Sequence, residues 1–96
     1  MRKITQEVVG AFMAGFNYAN SNTTVSSTTR DDSKMFLHGN LIAIRNGNII
    51  QVTLAGWNTN TTRERLNGIP GVHVTTKLGQ TYINGNPCGN YDWVTI

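Results

Sequence analysis

The sequence predicts an α+β fold, in which an N-terminal amphipathic helix packs on a small, mostly antiparallel, twisted sheet or partly open barrel. The N-terminal stretch has apolar residues at helical spacing, whereas most of the remaining chain consists of short β-branched runs separated by Gly and Asn turns. The connections between these runs are too short for parallel crossovers, so antiparallel pairing is expected. One short second helix is predicted near residues 61–66.

The N-terminal helix is expected to begin at Thr5, whose hydroxyl can cap the first turn, and to end within residues 17–22. Its apolar side chains recur at positions that share one side of a helix. Side chains of this kind are buried in a core far more often than they bind a cofactor or a membrane. The stripe predicted to face the core consists of Val8, Val9, Phe12, Met13 and Phe16.

The strongest hairpin signal is Asn46-Gly47, which lies between the apolar runs 41–45 and 48–54. A type I′ turn requires positive φ at both central residues, and Asn and Gly adopt such values most readily. We therefore predict a hairpin with a type I′ turn at Asn46-Gly47. Further strands are predicted at residues 34–38, 72–77, 80–83 and 92–96, and a polar edge strand or extended arm at residues 23–29.

The short second helix follows a bend in the chain at Gly56. Thr61 and Glu64 have the spacing of a capping box, in which each side chain binds a backbone N–H of the first turn. Asn67-Gly68 is a helix stop, because both residues tolerate the left-handed conformation. Leu66 is expected to point into the core.

The stretch around this helix is also the candidate binding surface. Trp57 precedes the helix, and the helix would display Arg63 and Arg65. Arg45 and Lys77 complete the set of candidate binding residues. The plainer interpretation is a structural corner. If the surface binds a partner, replacing Arg63 and Arg65 together by Ala should leave the fold intact and weaken the complex.

The composition is that of one domain, residues 1–96, with a single modest core. The net charge of +3 and the isoelectric point near 9.4 are compatible with a polyanionic partner, but the basic residues are spread along the chain. A single cysteine, Cys88, excludes an intramolecular disulfide and favours a reducing compartment. No window approaches the ~20 apolar residues of a membrane-spanning helix, so no membrane association is expected.

The sequence contains no complete catalytic or metal-binding motif. Neither histidine, His38 or His73, has a second ligand at metal-binding spacing, and Cys88 does not lie in a nucleophile motif. We therefore expect a protein without a cofactor, a metal or enzymatic activity.

Several segments resemble a family of small proteins encoded by tailed bacteriophages. The segments are His38-Gly39-Asn40, Ala55-Gly56-Trp57, and Thr61-Thr62-Arg63-Glu64-Arg65-Leu66-Asn67, followed by Gly79-Gln80 and Asn84-Gly85. The resemblance extends over most of the chain from Leu37 onward. It implies a phage origin, and with it the cytoplasm of the host bacterium as the location, but it supplies no activity, ligand or site residue.

Three classes of function are compatible with these features. The favoured one is a small accessory protein that binds a host bacterial protein, in host takeover or counter-defence. Aromatic side chains of the kind that dominate interfaces are available for it. They are Trp57, Tyr82, Tyr91 and Trp93.

The second class is a nucleic-acid-binding module, in which basic side chains contact phosphates and aromatic rings stack on bases. The absence of a basic cluster weighs against it. The third class is a virion or assembly component that self-associates through a polar, Thr-rich strand edge, so a homo-oligomer is also considered. The phosphate contacts of the second class would come from Arg45, Arg63, Arg65 and Lys77.

Overall fold

The computed structural model describes residues 2–20 and 22–96, which form two helices and two open antiparallel sheets. The predicted α+β class with an N-terminal helix is confirmed, and the strands form open sheets rather than a barrel. In chain order the elements are α1 (Lys3–Ala14), β1 (Tyr18–Asn20), β2 (Thr23–Ser26), β3 (Asp32–Leu37), β4 (Asn40–Asn46), β5 (Ile49–Val52), α2 (Asn60–Asn67), β6 (Val74–Lys77), β7 (Gln80–Ile83), β8 (Asn86–Cys88) and β9 (Val94–Thr95).

The larger sheet has six strands in the order β1-β2-β3-β4-β5-β9, and the smaller sheet has three in the order β6-β7-β8. Neighbours in sequence pair through short turns, as expected for antiparallel meanders. The exception is β9, which returns to pair with β5 through Gln51 and Thr95. The strand β9 therefore forms one edge of the larger sheet, beside β5.

One core lies between helix α1, helix α2 and the inner faces of the sheets. From α1, the predicted Val8, Val9 and Phe12 are buried. Met13 and Phe16 are 37% and 53% exposed, so their predicted burial is wrong. Phe16 lies beyond the helix, because α1 ends at Ala14 and Gly15 turns the chain with φ of +76°. Met13 is still helical, but it is rotated by ~100° from Phe12 and lies at the edge of the buried stripe.

Helix α1 begins at Lys3, and its N-cap residue is Arg2, three residues before the predicted cap Thr5. Thr5 is therefore inside the helix and fully buried, and its hydroxyl contacts other side chains instead of capping the first turn. The helix ends before residues 17–22, where β1 begins.

The hairpin formed by β4 and β5 is confirmed, but its turn differs from the predicted one. Asn46 pairs with Ile49, so the two central residues are Gly47 and Asn48. Of these, Gly47 alone has positive φ, at +61°, which is the pattern of a type II′ turn rather than type I′. Type I′ patterns, with positive φ at both central residues, occur in three other hairpins, at His38-Gly39, Leu78-Gly79 and Asn84-Gly85.

Helix α2 occupies the predicted region, with a different cap. Thr59 is the N-cap residue and accepts a hydrogen bond from the Thr62 N–H at 3.2 Å, so the predicted capping box is wrong. Glu64 is drawn instead to partners on α1. Gly68 ends the helix as expected, but with a right-handed φ of −73°.

Two short strands lie where the sequence predicts none. β1 falls in the region assigned to the end of the first helix, and β8 falls in a predicted turn. Because β1 covers one side of β2, the Thr-rich strand is internal to the sheet and not an edge. Each of these strands pairs with its neighbour in sequence, β1 with β2 and β8 with β7, so cross-strand pairing rather than the propensity of the segment itself forms them.

Candidate binding cleft

The position of Trp57 is set by a tight turn at the end of the core. Leu54 is fully buried, and the chain reverses through Ala55 and Gly56, whose φ values are +53° and +81°. The Trp57 N–H donates to the carbonyl of Leu54 at 2.9 Å and closes the turn. The Trp57 side chain is 58% exposed directly beside the core, which answers whether it is a core residue or a surface residue.

Tyr91 supports the same turn from the C-terminal segment. The Gly56 N–H donates to the carbonyl of Asn90 at 2.8 Å. A Cβ atom at Gly56 would lie 2.7 Å from the Tyr91 hydroxyl oxygen, so the tyrosine lies close against the glycine backbone. Glycine suits this position because of its positive φ, and it also leaves room for the end of the Tyr91 side chain. Tyr91 itself is 79% exposed.

Trp57 forms one wall of a cleft of about 240 Å³ between the turn joining β3 to β4 and the start of α2. Leu37 and Ile42 supply apolar surface from the strands. Of the described residues that line the cleft, none is an acid, a lysine or an arginine. The remaining lining residues are His38, Asn40, Thr59, Thr61 and Thr62.

A β-bulge builds the strand side of the cleft. Met35 pairs with Ala43 while Phe36 pairs with Leu41, so Ile42 is the extra residue. Ile42 and Ala43 are consequently both buried, although they are consecutive in the strand. The bulge therefore turns one additional apolar side chain toward Trp57.

Arg63 fastens the loop before α2. Its Nη1 donates to the side-chain oxygen of Asn58 at 2.6 Å and to the Asn58 carbonyl at 3.1 Å, and its Nη2 donates to Asn60. Asn58 in turn donates to the Thr81 hydroxyl on β7 at 2.6 Å. This chain of contacts joins the Trp57 loop to the smaller sheet and leaves Arg63 half-buried.

Arg65 lies inside the protein, with 1% of its surface exposed. Its Nε donates to the Thr23 hydroxyl at 3.1 Å, and its Nη1 donates to the Thr5 hydroxyl at 2.7 Å and to Glu64 at 2.9 Å. Burial lowers the pKa of the guanidinium, as does the charge of Arg2, while Glu64 acts in the opposite direction. Arg65 thus joins α2 to α1 and β2.

Glu64 completes this cluster at the surface. It accepts hydrogen bonds from the Thr5 hydroxyl and from the Arg2 Nε, the latter at 2.7 Å. The hydrogen bond from Thr5, followed by the bond and the charge from Arg2, lowers the pKa of Glu64 below its ordinary value.

Arg45 is also buried, with 6% exposure, and acts as a second internal clamp. Its Nε donates to the carbonyl of Phe12 at 2.9 Å, which is one of the free carbonyls at the end of α1. Among the described residues, no carboxylate pairs with it. Its other acceptors are the carbonyls of Arg30, Asp31 and Gly47 and the hydroxyl of Ser33.

The structure thus corrects the assignment of Arg45 and Arg65 to a contact surface, because both guanidinium groups are used within the fold. Because Arg65 is buried and bonded to Thr5 and Thr23, we expect the double change at Arg63 and Arg65 to destabilise the fold as well. Trp57 and Arg63 lie together around the loop before α2. Lys77 is exposed at the end of β6, one strand position beyond Thr76, the residue that pairs with Thr81.

The other reactive side chains do not add to the cleft. Cys88 is buried, and both its burial and the negative charge of Asp92 raise the pKa of its thiol, which disfavours the reactive thiolate. In the described part of the chain, no three His, Cys, Asp or Glu side chains are grouped so that they could hold a metal ion.

Most of the cleft lining was missed by the sequence reasoning. Leu37 and Ile42 look like ordinary strand residues, and Thr59 and Thr62 look like helix-start residues. The available signal was the repeated pairing of a larger residue with glycine, at His38-Gly39 and Ala55-Gly56, because each pair makes a tight reversal. These two reversals bring the segments together.

The fold and the cleft define a small α+β protein with an uncharged, tryptophan-lined recess at its surface. The chain belongs to the family described as Kyanoviridae Gp96 protein, whose sequence model matches residues 1–95. The predicted phage origin is therefore confirmed at the level of the family. No curated protein matches the chain, and no solved structure matches it. Neither helix in residues 2–20 and 22–96 is long and apolar enough to cross a membrane.

Proposed function

We propose that this phage protein is a non-enzymatic binding protein that acts in the host cytoplasm by seating an apolar side chain of a host bacterial protein in the Trp57 cleft. The observation that carries the proposal is the exposure of a tryptophan on a rigid turn, beside an uncharged recess. Tryptophan is among the residues that contribute most to binding energy at protein interfaces.

The size of the cleft favours a protein partner over a cofactor or metabolite. Pockets for drug-sized ligands usually measure about 300–1,000 Å³. At about 240 Å³, this cleft is at the small end and is matched to one large side chain of a partner.

The rigidity of Trp57 supports the same interpretation. The turn is closed by a backbone hydrogen bond, is contacted by Tyr91, and continues into a loop that Arg63 fastens. A backbone that is already held by such contacts loses less conformational entropy when a partner binds. Exposed Tyr91 extends the aromatic surface beside the cleft.

The charge distribution disfavours the nucleic-acid alternative. Nucleic-acid binding relies on lysine and arginine side chains that reach phosphates. Two of the four residues proposed for that role, Arg45 and Arg65, are buried and bonded within the fold. Arg63 and Lys77 remain as candidate contacts at the border of the protein-binding surface.

The test is affinity capture from nuclease-treated host lysate with the tagged protein, read by mass spectrometry. We expect one dominant host protein, and we expect Trp57→Ala to reduce its capture by about tenfold or more. The matched control is Ile49→Thr, which removes an apolar side chain of similar exposure, 59%, from strand β5. Both variants should unfold at the wild-type temperature.

Two results would overturn the proposal. Equal capture by wild type and Trp57→Ala would place the contact elsewhere. Loss of all captured proteins after nuclease treatment would favour nucleic acid as the partner.

A further inference from the structure

Leu78, at the tip of the hairpin formed by β6 and β7, has an unfavourable backbone conformation and an exposed apolar side chain. It is 97% exposed and has a left-handed φ of +52°. This conformation is strained for an L-residue other than Gly, Asn or Asp. The next hairpin of the same chain uses Asn84 at the equivalent position, with the same φ of +52°.

The tip stands clear of the rest of the protein. A Cβ atom at Gly79, the other central residue of the turn, would meet no atom within 4 Å. Leu78 therefore gains no packing energy within the chain that would offset its strain and its exposed apolar surface. A strained residue without an internal role is a candidate for a contact with another molecule.

The Trp57 cleft has the size and polarity to receive this tip. A dry apolar cavity of about 150 Å³ accommodates a benzene molecule, so a cleft of about 240 Å³ has room for a leucine side chain. The tip residues Leu78 and Gly79 carry no charge, and the described lining of the cleft contains no acidic residue, lysine or arginine. Insertion of the tip therefore takes no lysine, arginine or acidic side chain of the cleft out of water.

The tip and the cleft lie in neighbouring parts of the molecule. Asn58, next to Trp57, bonds to Thr81, which is three residues from Leu78. Chain geometry then limits the distance between Trp57 and Leu78 to about 25 Å. Both can lie within one interface, since a standard interface covers about 800 Å² on each partner.

We propose that Leu78 of one copy inserts into the Trp57 cleft of a second copy, and that reciprocal insertion about a two-fold axis forms a homodimer. In such an isologous pair, each copy supplies one tip and one cleft, so the assembly closes at two subunits. Two tips and two clefts bury much less than the ~1,200–2,000 Å² of a stable interface. The dimer is therefore weak and dissociates on dilution.

The inference goes beyond the proposed function, because it requires only copies of this chain. It also has a regulatory consequence if the proposed function holds. A dimer that fills both clefts excludes the host protein, so the dimer would be the inactive form.

The test is sedimentation equilibrium of the purified full chain over a wide range of concentration. We expect wild type to dimerise reversibly, and Leu78→Asn to weaken self-association by about tenfold or more. Asparagine suits the left-handed position, so this variant should unfold at a temperature equal to or above that of wild type. Ile49→Thr, the control for loss of an exposed apolar side chain, should dimerise normally.

A mixing experiment tests the pairing directly. Thr61→Phe places a ring in the cleft and should also abolish the dimer, yet it retains its own Leu78. Mixing Thr61→Phe with Leu78→Asn should restore association, because one intact tip can then meet one intact cleft. A wild-type chain that stays monomeric, or a Leu78→Asn variant that dimerises like wild type, would overturn the proposal.

If the Thr61→Phe chain fails to fold, Trp57→Ala replaces it in the mixture. Host-protein capture by Leu78→Asn separates the two proposals, because this variant leaves the cleft intact. Normal capture together with lost dimerisation would support both. Lost capture by Trp57→Ala with an unaltered wild-type monomer would support the proposed function and reject the dimer.

Discussion

The two sides of helix α2 differ in how they use polar and apolar groups. Toward α1, Arg65 is buried and Glu64 binds Arg2 and Thr5, so the charged groups are consumed by contacts within the chain. Toward the turn after β3, the helix start lines a cleft in which Trp57 is exposed. The charged side stabilises the fold, and the uncharged side is available to a partner.

From residue type alone, the arginines are expected to form the binding surface, and the structure shows Arg45 and Arg65 buried instead. Arginines are common at interfaces, but in a chain of 96 residues with few charges they also join elements that a small core cannot hold together. Both Arg45 and Arg65 link segments distant in sequence. The cleft that we propose as the contact surface is lined instead by Trp57 and by apolar and neutral polar groups.

The largest expected effect tests whether buried Arg65 stabilises the fold more than half-buried Arg63, by replacing each arginine of α2 separately. Arg65→Met should lower the free energy of unfolding by about 2–4 kcal/mol, because it removes charge-assisted bonds to Thr5 and Thr23 in the interior. Arg63→Met, whose bonds are to half-exposed loop groups, should cost less than about 1 kcal/mol. Urea unfolding measures both, and equal losses would contradict the distinction.

A smaller effect is expected where Tyr91 meets the Trp57 turn. Gly56→Ala should cost about 2–3 kcal/mol, since it adds both left-handed strain and a clash with the tyrosine ring. Gly39→Ala is the matched control, because Gly39 has a similar φ of +79° but open space around it. It should cost only the strain, about 1–2 kcal/mol. If the two variants are equally stable in thermal unfolding, Tyr91 does not support the turn.

The smallest effect concerns acid stability. Because the pKa of Glu64 in the folded protein lies below its ordinary value of 4.5, its stabilising contribution is complete above about that pH. The contribution is lost as the pH falls through the folded-state pKa. Glu64→Gln should therefore be less stable at neutral pH and should lose less stability on acidification, as measured by urea midpoints.

Asp32 is a second carboxylate whose protonation should destabilise the fold in acid, in wild type and in Glu64→Gln alike. A hydrogen bond from the Thr28 side chain and two from backbone N–H groups lower the pKa of Asp32. Some loss of stability in acid should therefore persist in Glu64→Gln. Identical pH profiles for wild type and variant would show that Glu64 does not contribute.

The sequence predicted the parts of the fold that local patterns determine. The hairpin of β4 and β5 was found because two β-branched runs flank a glycine turn, and the α2 region was found from its flanking stop and start residues. The turn type was missed because Gly47, rather than Asn46, occupies the first central position. The capping box failed because Glu64 has stronger partners on α1.

The cleft was not predictable in the same way. Trp57 was identified as a candidate, but its partners Leu37 and Ile42 reach it through a bulge and two chain reversals. Such contacts depend on the register of distant strands, which no local pattern specifies. The burial of Arg45 likewise depends on the last turn of α1, where its partner Phe12 lies thirty-three residues earlier in the chain.

The central claim is that the protein binds through a neutral aromatic cleft and not through its exposed cations. The most direct test compares host-protein capture by Trp57→Ala with capture by Lys77→Ala, which removes an exposed charge near the same loop. We predict that Trp57→Ala loses the partner and that Lys77→Ala retains it at low and high salt. Retention by Trp57→Ala with salt-sensitive loss by Lys77→Ala would contradict the account.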